Sequence, residues 1–87
     1  MITSWKEELK KEFRYTGDVF TKMETTLTEE ELAEEFDAGS GWFGPSGAHF
    51  TAWGEKYVYF PVVYDGSEWV GHVPRNVCDI KTPHQGG

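Results

Sequence analysis

The sequence predicts a small α+β domain in which two helices pack with a three- to four-stranded antiparallel sheet, a β-meander. Three observations indicate this class: a helix-capping pattern at Ser4, a second one at Thr28, and an Asp-Gly pair at residues 65–66 between two runs of strand-forming residues. A chain of 87 residues has room for one hydrophobic core. We therefore expect a single domain over residues 1–80 and a flexible C-terminal tail over residues 81–87, which has little surface to bury.

Residues 4 to about 15 are predicted to form the first helix. Ser4 and Glu7 have the spacing of a capping box, and Gly17 is a suitable stop. The apolar side chains of this helix recur at every fourth position: Trp5, Leu9 and Phe13. Residues 18–26 follow with an alternation that is typical of a strand.

The second helix is predicted over residues 29–38. Its start has both a capping box and a hydrophobic staple, and a glycine follows its end. These patterns consist of Thr28 with Glu31, Leu27 with Leu32, and Gly39. We expect the acidic side chains of this helix to face solvent, because Leu32, Ala33 and Phe36 form its apolar face.

A glycine-rich loop over residues 39–48 contains two large aromatic side chains, Trp42 and Phe43. Three strands are expected after this loop, at residues 50–53, 57–64 and 68–73. The Asp-Gly pair joins the last two strands through a two-residue turn, which makes them a hairpin.

The two-residue turn fixes the register of this hairpin, with Tyr64 opposite Ser67. One face then carries Val58, Phe60, Val62, Trp69 and Val73. The other face carries Tyr57, Tyr59, Pro61, Val63, Glu68, Val70 and His72. Both faces are mainly apolar, so we expect either helices on both or one aromatic face open to a partner. Pro61 has no N–H and therefore indicates an edge or a bulge.

The negative charge of the chain is confined to one segment. Residues 24–37 hold seven acidic side chains and no basic one, whereas the rest of the chain has eight of each, so the formal net charge of −7 belongs to this segment. Such a field repels nucleic-acid phosphates and acidic membranes and attracts basic surfaces. We expect a partner protein with a basic surface, and neither direct nucleic-acid binding nor membrane binding.

The chain is expected to be cytoplasmic. Cys78 is its only cysteine, which excludes an internal disulfide and suits a reducing compartment. The first residues are polar and charged, unlike a signal peptide, and no apolar stretch has the length needed to span a bilayer.

No residue pattern indicates a catalytic site or a cofactor. His49, His72, Cys78 and His84 lack the paired spacing of zinc ligands, and no pattern around Cys78 would activate a nucleophile. The glycine-rich loop leads from a helix to a strand, the reverse of a phosphate-binding loop, and no Gly-Lys-Ser/Thr follows it. We expect no catalytic residue, no metal ligand and no enzymatic activity.

These observations favour a non-enzymatic, acidic protein-binding module. Carboxylates about 5–6 Å apart on a helix resemble a row of DNA phosphates, so the module is expected to be an inhibitor or DNA mimic that docks on a nucleic-acid-handling enzyme. The predicted partner-binding residues are Glu29, Glu30, Glu34, Glu35, Asp37, Trp42, Phe43, Tyr57 and Tyr59. The alternative is a small-molecule or peptide-binding module that uses the aromatic sheet face, and a homodimer through the sheet is a further expected assembly.

Overall fold

The computed structural model describes residues 1–39 and 44–86. The helices and strands in these ranges are β1 (Ile2–Ser4), α1 (Trp5–Thr16), β2 (Glu24–Thr25), α2 (Glu29–Ala33), β3 (Glu35–Asp37), β4 (Ala52–Trp53), β5 (Tyr57–Tyr64) and β6 (Ser67–Pro74), with a 3-10 turn at Phe20–Lys22. β1 pairs with β3, and the other strands form an antiparallel sheet in the order β2-β4-β5-β6. The predicted α+β class, with two helices and an antiparallel sheet, is confirmed.

Helix α1 begins and ends where its sequence predicts. The Ser4 hydroxyl oxygen accepts a hydrogen bond from the N–H of Glu7 at 3.2 Å, which is the Ser4 half of the predicted box. Gly17 has a φ of 85°, a left-handed conformation that favours glycine, and its N–H donates to the carbonyl oxygen of Phe13 at 2.9 Å.

Helix α2 is shorter than predicted. Thr28 and Glu31 form the complete capping box, but the helix ends at Ala33, and Glu34 already has the extended φ and ψ of −63° and 127°. The prediction of a helix that continues to residue 38 is therefore wrong. Its acidic residues are divided between a helical turn and the extended chain that follows it.

Strand β3 replaces the second half of that predicted helix. It pairs with β1 from Ser4↔Glu35 to Ile2↔Asp37. The Phe36 ring packs against the buried Trp5 ring with 4.8 Å between centroids. The backbone pairing with β1 and this aromatic contact outweigh the helical propensity of the acidic residues. Propensity differences amount to only about 0.7 kcal/mol or less per residue.

The strand predicted over residues 18–26 is reduced to the two residues of β2. Asp18 shows why, since its buried carboxylate accepts hydrogen bonds from the N–H groups of Lys56 and Tyr57 at 3.1 and 3.2 Å. A side chain bonded to distant backbone takes the place of ladder bonds at this point. The chain then forms the 3-10 turn, and β2 follows and pairs with β4.

The β5–β6 hairpin has the predicted register from Tyr64↔Ser67 to Val58↔Val73. Asp65 and Gly66 have φ values of 51° and 81°, the left-handed values of a type I′ turn.

Pro61 lies in the middle of β5 without the loss of a ladder bond. The turn places it at a non-hydrogen-bonded position opposite Val70, so a donor there would point away from β6. On that side β4 pairs with β5 only at Val58 and Tyr59. The predicted edge at Pro61 is therefore confined to the part of β5 that lies beyond the end of β4.

The hydrophobic core lies between α1 and one face of the β5–β6 hairpin. Its buried members are Trp5, Leu9, Phe13, Leu27, Phe50, Ala52, Tyr59 and Val70. The rings of Phe13 and Tyr59 stack with 4.2 Å between centroids and so fix α1 against β5.

The C-terminal tail returns to the hairpin near its end, because a Cβ placed on Gly86 would lie 3.6 Å from a methyl group of Val62. The predicted mobility of the tail stays a prediction.

Candidate functional site

The acidic segment, residues 24–37, presents five exposed carboxylates on three successive elements. They are Glu24 on β2, Glu29 and Glu30 on α2, Glu34 directly after α2, and Glu35 on β3. The sixth, Glu31, closes the capping box by accepting a hydrogen bond from the Thr28 N–H at 2.9 Å. The capping box therefore uses one carboxylate and leaves its neighbours in solvent.

The ion pairs among the described residues leave this charge almost uncompensated. They join Lys11 to Glu8, Lys22 to Glu55, His72 to Glu12 and the N-terminal ammonium of Met1 to Asp37. Only Asp37 belongs to the acidic segment, and its Oδ1 lies 2.7 Å from the Met1 nitrogen. The five exposed carboxylates make no ion pair within residues 1–39 and 44–86, so they retain their attraction for an external cation.

The carboxylates do not form one helical row. The predicted phosphate-like spacing assumed a helix as far as residue 38, whereas α2 ends at Ala33. Glu35 and Asp37 lie two positions apart on β3, a spacing that places both on the same side of a strand. The segment is thus an acidic surface with two backbone geometries.

A groove adjoins the acidic surface. Its volume is about 470 Å³, and its lining residues are Lys6, Phe20, Thr21, Met23, Thr25, Leu27, Glu29, Leu32 and Ala33. Leu27 is buried, whereas Phe20, Met23 and Leu32 are half-buried and so present part of their apolar surface to the groove. The sequence did not reveal this feature, because the lining combines residues of α1, the 3-10 turn, β2 and α2.

Of the aromatic residues predicted to bind a partner, Tyr59 is fully buried and Tyr57 is half-buried. Tyr59 stacks on Phe13, and the neighbouring His72 bonds through Nδ1 to the Glu12 carboxylate at 2.5 Å. Helix α1 thus covers the part of this hairpin face that carries Tyr59 and His72. Tyr59 therefore offers no surface to a partner in this fold. The alternative of a ligand site on the same hairpin face stays a prediction. Trp42 and Phe43 lie outside the described residues.

Comparison with known proteins gives this chain no family. No family model, curated protein or solved structure matches it. Any function therefore has to be argued from its own surface.

Two further structural observations concern membranes and metals. Within residues 1–39 and 44–86, no helix has the length and apolar character needed to cross a membrane. In the same ranges, no group of three or more His, Cys, Asp or Glu side chains is arranged to hold a metal ion. The expectations of no metal and no catalysis stay predictions.

A buried polar network lies beneath the covered hairpin face. The Tyr59 hydroxyl donates to the Asp18 carboxylate at 2.7 Å and lies 2.7 Å from the Thr16 hydroxyl oxygen. Burial is the main cause that raises the pKa of Tyr59 far above its ordinary value, and the Asp18 carboxylate adds to it because a phenolate would face a negative charge. This tyrosine acts as a neutral structural donor.

We expect the stability that Tyr59 contributes to depend on pH in the alkaline range. Because its pKa is raised in the folded state, an unfolded chain loses this proton first, near the ordinary value of 10.0. The contribution is complete below that pH and is lost above it, by about 1.4 kcal/mol per pH unit. Urea unfolding of the natural chain and of Tyr59→Phe, at about pH 8 and about pH 11, should show the advantage of the natural chain shrinking at the higher pH. An advantage that is constant across this range would contradict the assignment.

Proposed function

We propose that this domain is a non-enzymatic protein-binding module that docks its acidic segment on a basic surface of a partner protein in the cytoplasm. The observation that supports the proposal is the set of five exposed carboxylates, Glu24, Glu29, Glu30, Glu34 and Glu35, which have no ion-pair partner in the described part of the chain. A concentrated charge of one sign attracts a surface of the opposite sign before contact is made.

Nucleic-acid-handling enzymes are the class of partner that fits this charge best. Their binding clefts are lined with Lys and Arg that neutralise phosphates, so they offer an extended basic surface. Carboxylates held there would exclude the nucleic acid, and the module would act as an inhibitor of the DNA-mimic type. The division of the segment between α2 and β3 means that the proposed mimicry rests on charge density and not on a regular helical repeat.

The folded scaffold anchors the backbone that carries these carboxylates at two places. The capping box anchors the start of α2, and the pairing of β1 with β3 anchors the extended part. The backbone between these anchors is therefore ordered before binding, which reduces the ordering that a partner must impose.

The test is a double charge reversal in the acidic segment. Immobilised natural chain would capture partners from the native lysate, and the affinity of the purified partner would be measured at low and high salt. We expect Glu30→Lys combined with Glu34→Lys to weaken binding by about 10- to 30-fold, because two attractions become two repulsions. The salt dependence of the remaining affinity should also decrease.

The matched control is Glu7→Lys combined with Asp79→Lys, which changes the net charge equally at exposed acids outside the segment. This control should keep most of the affinity. If the Glu30 and Glu34 reversals leave both the affinity and its salt dependence unchanged, the proposed function is wrong.

A further inference from the structure

The groove beside the acidic surface has the size of a docking site, and its lining combines apolar and polar side chains. Its volume of about 470 Å³ is within the range of about 300–1,000 Å³ that ligand pockets occupy. By comparison, the cavity beside Glu68 and the one beside Trp5 and Phe36 each measure about 150 Å³. The groove can therefore accept more than one side chain of a partner.

The short elements around the groove explain why it is open. α2 ends at Ala33, so the helix stops after little more than one turn and covers only part of the apolar surface beneath it. β2 has two residues and lies at the end of the four-stranded sheet. Met23, Thr25 and Leu27 line the groove between these short elements.

The groove is built largely from the acidic segment itself. Five of its nine lining residues fall within residues 24–37: Thr25, Leu27, Glu29, Leu32 and Ala33. Glu29 lines the groove directly, and the exposed Glu30 and Glu34 lie next to these residues in the chain. An occupant with basic residues beside its apolar side chains would satisfy both features of this surface.

A helix suits the groove better than an extended strand. An added strand gains affinity from a ladder of backbone hydrogen bonds, and the two residues of β2 offer very little ladder. A helix instead inserts side chains spaced at i, i+3, i+4 and i+7 into an apolar groove. Lys6 lines the groove from α1, and the Lys10 ammonium sits 5.8 Å from the centre of the Phe20 ring, so the basic residues of an occupant would lie on the opposite, α2 side.

We infer that this groove binds a basic amphipathic helix of the partner protein, with aliphatic side chains inserted between α2 and the 3-10 turn and with Lys or Arg beside Glu29, Glu30 and Glu34. The inference rests on the proposed function for the basic character of the partner, while the groove accounts for the apolar anchors.

Two synthetic peptides of about 14 residues with the same Leu and Lys composition test it. One peptide places its leucines on a single helical face, and the other is a scrambled isomer. We expect the amphipathic peptide to bind the natural chain at least about tenfold more tightly, which corresponds to the burial of one additional aliphatic side chain. Methyl NMR shifts should occur at Met23, Leu27 and Leu32.

A neutral substitution in the groove separates apolar docking from charge. Ala33 is exposed and lines the groove, and glutamine is a good helix former, so Ala33→Gln should preserve α2 while it fills the apolar space. The preference for the amphipathic peptide should fall to less than about twofold, the effect expected when no aliphatic anchor is inserted. Val63→Gln, an exposed apolar position that does not line the groove, is the matched control and should keep the preference.

The charge reversals at Glu30 and Glu34 should weaken both peptides by a similar factor. Equal affinity of the two peptides for the natural chain, or binding of neither, overturns the groove inference. In the case of equal affinity, the proposed function still stands if charge reversal weakens both. The natural chain can prefer the amphipathic peptide while charge reversal changes the affinity of neither peptide. That result would overturn the basic character of the partner, and with it the proposed function.

Discussion

Replacing Trp5 with alanine is expected to remove most of the free energy of unfolding of this domain. The Trp5 side chain is 1% exposed, and its ring packs against the rings of Phe36 and Phe50 with 4.8 and 4.9 Å between centroids. Removing a buried tryptophan costs about 3–5 kcal/mol, whereas a small domain has a total stability near the lower end of about 5–15 kcal/mol. Urea unfolding followed by circular dichroism would measure the loss.

Two further substitutions show whether the loss comes from Trp5 packing. Trp5→Phe keeps an aromatic ring but removes the indole N–H that donates to the Ala48 carbonyl oxygen at 2.9 Å, so its loss should be smaller than that of Trp5→Ala. Tyr15→Ala removes an aromatic ring from the same helix at a position that is 80% exposed, and should cost less than about 1 kcal/mol. Equal losses for Trp5→Ala and Tyr15→Ala would contradict the packing described here.

Asp18→Asn is expected to destabilise the fold by about 2–4 kcal/mol. The Asp18 carboxylate accepts three hydrogen bonds, from the backbone N–H groups of Lys56 and Tyr57 and from the Tyr59 hydroxyl. An asparagine has one oxygen and one NH2 group, so at least one of these donors would face another donor. A buried donor left without an acceptor costs about 1–3 kcal/mol, and the hydrogen bonds that remain lose their ionic partner.

Gly54→Ala tests the same contact from the opposite side. A Cβ on Gly54 would lie only 2.2 Å from an Asp18 carboxylate oxygen, so alanine must displace that carboxylate. We expect the losses from Gly54→Ala and Asp18→Asn to be non-additive in the double variant, because both disturb one set of bonds. Asp79→Asn, at an exposed position, is the control and should cost less than about 0.5 kcal/mol. Fully additive losses would show that alanine acts somewhere other than at Asp18.

The elements that the sequence predicts well depend on residues close together in the chain. The Thr28–Glu31 capping box, the Gly17 stop and the Asp65-Gly66 turn each occupy a few consecutive positions, and the structure contains all three. The hairpin register follows from the turn alone, since a two-residue loop leaves one way to pair the strands.

The elements that the sequence misses depend on partners far away. β1 and β3 pair residues that are more than thirty positions apart, and neither three-residue segment has a pattern of its own. The same pairing ends α2 early, so the length of the predicted helix fails for a reason that its local sequence does not contain. Asp18 is a similar case, because its acceptor role depends on backbone that lies thirty-eight residues away.

The acidic segment and its lack of bases are properties of the sequence, because charge is set by residue type and does not change with the fold. Which face of the hairpin is covered is decided only by the tertiary structure. Both faces are apolar in sequence, and the packing of Phe13 on Tyr59 decides that Tyr59 is core and not a contact residue. The groove likewise exists only once α1, the 3-10 turn, β2 and α2 meet, since its lining side chains come from these separate segments.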